Sequence, residues 1–245
     1  MTPTDVPGSR LLACLGDDVD RLTRLAAGNL TIAVPACPGW DVGQLMRHLA
    51  HGLVNVALRR LRMPDPPPEH DLAAEEPIAA LRCCHTAFVD EVATYGPGGP
   101  AGATARFWLR RMTYETAVHR VDVERAIGLP VGPIEPDLAV DGVAEALSVF
   151  LYQETHSWRE EYQSDLTEWG DRSLLVVAGT AGWRVAVRPE GVEVGSADAG
   201  DADAVVRGEP VAVLLWLYDR GDDVLVEGDR ALVAQVRRLL GTAMG

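Results

Sequence analysis

The sequence predicts an α plus α+β protein, with a helical bundle over residues 1–165 and a small α+β domain over residues 166–245. Two observations predict it. Apolar residues recur at helical spacing in five stretches as far as Trp158, and beyond Asp171 the pattern changes to short β-rich runs separated by Gly and Pro. The size agrees, since 245 residues at 47% hydrophobic can bury one large core or two modest ones.

In the first stretch, Ser9 to Ala27, the apolar positions Leu11, Leu12, Leu15, Val19, Leu22 and Leu25 are interleaved with Asp17, Asp18, Asp20, Arg21 and Arg24, the pattern of an amphipathic helix. The segment Val34-Pro35-Ala36-Cys37-Pro38-Gly39-Trp40 breaks that pattern, and Asp41 with Gln44 three residues later supplies an N-cap and capping box. The helix starting there runs to Arg62. Pro64, Pro66, Pro67 and Pro68 end it, because proline lacks an N–H and disfavours helical geometry in the residue before it. A third helix covers Glu76 to Tyr95 and is closed by the Gly-Pro-rich stretch Gly96 to Gly102. The fourth runs from Thr104 to Gly128, with Gly128 suited to a left-handed C-cap, and the fifth from Pro136 to Trp158 carries Leu138, Val143, Leu147, Phe150 and Leu151.

The remaining third reads as strands over Leu174–Ala178, Trp183–Arg188, Gly191–Val194, Ala204–Arg207 and Val224–Val226. Two helical stretches, Pro210–Tyr218 and Arg230–Leu240, lie between and after them. No internal repeat and no low-complexity tract interrupts this order.

A formal net charge of −14, with arginine as the sole strong base, surrounds the chain with a field that repels phosphate backbones and anionic lipid. Nucleic acid and membranes are therefore excluded as expected partners. Met1 to Arg10 carries Asp5 and prolines instead of a basic and then apolar leader, and no apolar run approaches the roughly 20 residues that span a bilayer, so a cytoplasmic location is expected. Cys14, Cys37, Cys83 and Cys84 show no zinc-ribbon or CxxC spacing and read as reduced, structural cysteines.

Glu115 and His119 stand four apart on the fourth helix, so both project from one face and can converge on one ion, and Asp122 continues that face. A solvated Glu–His pair would look the same. The second helix supplies the further donor. With Leu45 as zero, Leu49, Leu53 and Val56 fall within roughly 80° and His48 about 60° to the other side, at the border of the buried face, while His51 at about 240° points outward. Two imidazoles and one carboxylate suit Zn²⁺, with Ni²⁺ or Fe²⁺ as alternatives, and leave positions open for water or substrate. His70, in the Pro-rich loop, His85, after the cysteine pair, and His156, near the end of the fifth helix, fit that set less well.

Pro38-Gly39-Trp40-Asp41-Val42 leading into Leu45-Met46-Arg47-His48-Leu49-Ala50, followed by Glu115-Thr116-Ala117-Val118-His119-Arg120-Val121-Asp122, resembles the mycothiol-dependent maleylpyruvate isomerase family within the DinB-like four-helix-bundle metalloproteins. The C-terminal third is similar to that family's partner domain, itself like sterol carrier protein type 2 (SCP2). The resemblance implies that His48, Glu115 and His119 bind zinc, the set also reached from spacing. It further implies that Arg220, in Leu215-Trp216-Leu217-Tyr218-Asp219-Arg220, is the counterpart of a catalytic arginine serving the substrate, although Asp219 stands where the family usually has glycine. Arg47 is the candidate for holding the cofactor, since an acidic protein handling anions has only arginine for bidentate carboxylate contacts.

The expected function is a metal-dependent isomerase or S-transferase that activates mycothiol, a small thiol, toward a small electrophilic and anionic substrate. Two other classes are weighed beside it, a non-catalytic module that encloses apolar ligands and a metal-responsive regulatory protein.

Overall fold

A computed structural model describes residues 6–95, 99–167, 172–197 and 202–244. The expected switch at Asp171, the Gly96–Gly98 part of the third loop and the first five residues lie outside them. The described residues fold as two compact units, one within Pro7–Pro133 and one within Ile134–Gly245.

The first unit is a helical bundle. Its elements are α1 (Gly8–Ala26), α2 (Val42–His51), a π-helical segment (Gly52–Leu58), α3 (Arg59–Leu61), α4 (Pro77–Ala93) and α5 (Gly99–Ala126). α1 packs along α5 and α2 along α4, burying Leu11, Leu15, Leu22, Leu45, Met46, Leu49 and Leu81. The capping box forms as expected: Asp41 accepts from the Gln44 amide at 2.8 Å and Gln44 Oε1 accepts from the Asp41 amide at 2.9 Å. Gly128, at φ 75°, takes the left-handed position that ends α5. α5 starts at Gly99, five residues before the expected start at Thr104.

The π-helical segment changes one expectation. Reading the second helix as uniformly α-helical places Val56 on the buried face, yet Val56 is 37% exposed and Asn55 is buried at 8%. An i→i+5 turn takes up an extra residue, so every side chain after Gly52 is rotated relative to the α-helical phase.

The second unit holds α6 (Pro136–Ala146), a π-helical segment (Leu147–Gln153), α7 (Glu154–Ser157), α8 (Arg159–Thr167), β1 (Arg172–Ala178), β2 (Ala181–Arg188), β3 (Gly191–Ser196), β4 (Ala204–Gly208), α9 (Pro210–Leu217), β5 (Leu225–Gly228) and α10 (Arg230–Met244). The sheet order is β3-β2-β1-β4-β5, with β1 and β4 parallel and the other neighbours antiparallel. Leu174, Val176 and Ala178 alternate inward along β1, opposite the inward Val185 of β2 and Val206 of β4. The parallel β1–β4 pair needs a crossover connection, and the antiparallel β2–β3 hairpin lies within it.

The boundary expected at 165/166 falls between Pro133 and Ile134. Helical periodicity continues through α6, but α6 packs on α9 and the π-helical segment after it packs on β3 and α10. Thr155 of α7 also accepts from the Val192 amide of β3 at 2.9 Å. The fifth expected helix is thus a layer over the sheet.

Candidate metal centre

The turn before α2 sets the first donor. Trp40 N donates to Cys37 O at 3.0 Å, Val34 N to Trp40 O at 2.9 Å, and Gly39 takes φ 85°, a left-handed conformation available to glycine at little cost. An isolated bridge between Ala33 and Asp41 closes this loop. Trp40 is thereby laid against His48, ring centroids 4.8 Å apart, which restricts the imidazole.

The other two donors come from α5. Glu115 Oε1 lies 3.1 Å from His48 Nε2 and 3.2 Å from His119 Nε2, and the two imidazoles meet edge to face at 5.1 Å. One donor atom from each residue falls within 4.8 Å of the others. The three residues singled out in the sequence therefore converge. This donor chemistry fits a divalent cation: two imidazole nitrogens and one carboxylate oxygen aimed at one point, with fewer protein atoms than a closed tetrahedral site requires.

Each donor on α5 has a partner of its own. His119 Nδ1 lies 2.9 Å from Asp122 Oδ2, and the Cys37 thiol donates to the same oxygen at 3.7 Å. An acceptor on Nδ1 leaves Nε2 as the ligating nitrogen, the usual outer contact of a metal-binding histidine. Cys37, His119 and Asp122 also form a second group of potential ligands. The close His119–Asp122 hydrogen bond makes that group the outer support of the first. Burial alone would pull His119 down, but hydrogen bonds to Asp122, Cys37 and Glu115 hold its pKa well above the usual histidine range. Burial would push Glu115 up, yet the Arg111 charge and the hydrogen bonds from His119 and His48 keep it well below the usual carboxylate range. Arg111 Nη2 contacts Glu115 Oε2 one helical turn away.

His48 also forms part of the wall of a cleft of about 660 Å³ lined by Trp40, Gln44, Arg47, His51, Asn55 and the loop Glu69–Ala73. Asn55 clamps that loop, donating to His70 O at 2.8 Å and accepting from His70 N at 2.7 Å. His51 points outward as expected, 3.6 Å from Glu69. Arg47 borders the cleft and donates to Glu75 O at 3.1 Å, while its buried Nε has no hydrogen-bond partner.

Arg220 lies in the second unit, after α9. Its Nη1 donates to Tyr218 O at 2.6 Å. Asp219 takes φ 58°, a left-handed conformation uncommon for residues other than glycine, and its carboxylate pairs with Arg237.

Reading the sequence for donors missed Arg111, although its i, i+4 relation to Glu115 was legible. It also missed Asn55, whose inward turn depends on the π-helical segment and has no periodic signal.

A helical bundle carrying a His/Glu/His donor set, joined to a mixed α+β unit, is the class these features define. Residues 12–124 match the sequence model of the mycothiol maleylpyruvate isomerase N-terminal domain, and residues 137–235 match that of the C-terminal domain of the same enzyme. The chain belongs to the mycothiol-dependent maleylpyruvate isomerase family.

The crystal structure of a mycothiol-dependent maleylpyruvate isomerase is similar over 93% of this chain and 95% of that one, at 20% identity and TM-score 0.53. A histidine-to-alanine mutant of that isomerase is similar over the same shares, at 18% identity and TM-score 0.53. These similarities extend to the fold. The ubiquinone synthesis protein UbiJ-SCP2 is 20% identical over 46% of this chain and 96% of that one, with TM-score 0.33. No curated protein matches. No helix among the described residues is long and apolar enough to cross a membrane.

Proposed function

We propose that this chain is a metal-dependent enzyme that activates mycothiol for cis–trans isomerisation, or for S-transfer, on a small electrophilic and anionic substrate. The observation that carries this reading is the convergence of His48 Nε2, Glu115 Oε1 and His119 Nε2 beside a cleft of about 660 Å³, a volume usual for small-molecule sites. Family membership supports the choice of thiol.

A divalent ion held by these donors, zinc foremost, supplies the charge that favours thiolate over thiol at neutral pH. Asp122 holds the proton on His119 Nδ1, and Trp40 limits the rotation of His48. The cleft accommodates the body of the thiol, with Arg47 at its border as the candidate for an anionic group on it. In isomerisation, the sulfur adds to one carbon of a conjugated cis double bond and the π pair moves into the adjoining carbonyl. Rotation follows about what is now a single bond, and expulsion of the same sulfur restores the double bond as trans. In S-transfer, the carbon–sulfur bond is kept and a leaving group departs with its electron pair. Arg220 is proposed to take the substrate carboxylate.

Elemental analysis of protein purified without a metal-affinity tag tests the first half of this reading, with about one divalent ion per chain expected from a three-ligand site. His48→Ala and His119→Ala should each lose it, and full metal content in both variants would refute the site. For the second half, cobalt-substituted protein titrated with mycothiol should gain a sulfur-to-metal charge-transfer band that the oxidised disulfide does not produce. No band at full metal occupancy would remove the thiol from the mechanism.

A further inference from the structure

The two oxygens of Glu115 are used differently. Oε1 faces both histidine nitrogens, at 3.1 Å and 3.2 Å, whereas Oε2 is held by the Arg111 guanidinium. Arg111 sits one turn earlier on α5, and its side chain is only 10% exposed. We propose that Arg111 is a positioning residue that occupies Glu115 Oε2 and so restricts Glu115 to one-oxygen ligation of the divalent cation, keeping the remaining coordination positions open to an incoming ligand. This rests on the metal reading above and adds to it the device that keeps the site open.

The argument follows from carboxylate chemistry. A glutamate beside a divalent ion can bind through one oxygen or chelate through both. Chelation here would turn Oε2 toward the cation and leave a permanently charged, largely buried guanidinium without that carboxylate contact. The i, i+4 spacing places Arg111 and Glu115 on one face of a continuous helix, one turn apart, so the guanidinium meets Glu115 from the side of Oε2 while both histidines meet Oε1. His119 has the complementary arrangement, with Nδ1 engaged by Asp122 and Nε2 directed to the same point. Both α5 donors thus offer one atom each. Without the arginine, Glu115 gains a second ligating oxygen at the expense of an open position.

The test uses full-length protein loaded with zinc or cobalt, native and as Arg111→Met and Arg111→Lys, with metal content measured first. Metal-minus-apo infrared difference spectra report the separation of the two carboxylate stretches, with the Glu115 band assigned by its loss in Glu115→Gln. Native protein should show the wide separation of one-oxygen ligation and intense cobalt d–d absorption. Arg111→Met should narrow the separation and weaken that absorption severalfold, and Arg111→Lys should recover part of both.

A narrow separation in metal-loaded native protein would overturn the inference while leaving the metal site standing. So would native-like spectra in folded, metal-loaded Arg111→Met. Should Arg111→Met not fold by circular dichroism, the native separation and Arg111→Lys decide. A native protein that retains no metal would instead remove the metal reading, and this inference with it.

Discussion

Both nitrogens of His119 face carboxylate oxygens, Asp122 at Nδ1 and Glu115 at Nε2, an arrangement that favours the protonated ring over the neutral one. A cation must displace the Nε2 proton to bind. Because the pKa of His119 is raised, metal affinity should fall as pH drops through the neutral range, by about tenfold per unit for each proton released. Chelator competition across that range measures it, and affinity independent of pH would contradict the assignment of Nε2. Asp122→Asn should move the dependence to lower pH. It should also weaken binding at high pH by about 10–100-fold, the usual loss when an outer partner of a ligating histidine is changed.

The elements owe their relative placement to a second cluster of charge. Arg120 of α5 donates to both oxygens of Glu124, at 2.8 and 2.9 Å, and its Nε lies 2.7 Å from Asp18 of α1. Glu124 also accepts from Arg21 and from the Gly132 amide, so α1, α5 and the loop after α5 share one network. Burial pushes Asp18 up to about 6, against the attraction of Arg120. A carboxyl raised in the folded state binds more protons there than in the unfolded chain, so its contribution is largest at acid pH and is lost as pH rises through about 6. Relative to native protein, Asp18→Asn should therefore gain stability between about pH 4 and 7, by up to about 3 kcal/mol, followed by denaturant unfolding at several pH values. A stability difference that stays constant with pH would show that Asp18 is not perturbed.

At the scale of the whole molecule, the donor set lies within the first unit and Arg220 within the second. If both units serve one reaction, their contributions must separate experimentally. Arg220→Gln should keep full metal content and the mycothiol-induced cobalt band. Turnover of an anionic substrate should fall by about 10–100-fold, the effect of losing a charged hydrogen bond of roughly 1.5–3 kcal/mol. Unchanged kcat/KM would remove Arg220 from the site, and lost metal would show that its role is structural.

Much of this protein was legible in the sequence because it depends on neighbours along the chain. The capping box of Asp41 and Gln44, the left-handed Gly128, the short β-rich runs set off by Gly and Pro and the shared face of Glu115 and His119 are all local geometry. Even His48 has its place at the border of the buried face set by its helical angle from Leu45. What counting could not supply came from packing between distant segments. The π-helical turn that buries Asn55 and exposes Val56 has no period of its own. The helix beginning at Pro136 has the same helical pattern whether it joins the bundle or covers a sheet, and its contacts with α9 and those of its π-helical continuation with β3 decided the boundary at Pro133. Periodicity records that a face is apolar, but which surface buries it is a property of the folded chain alone.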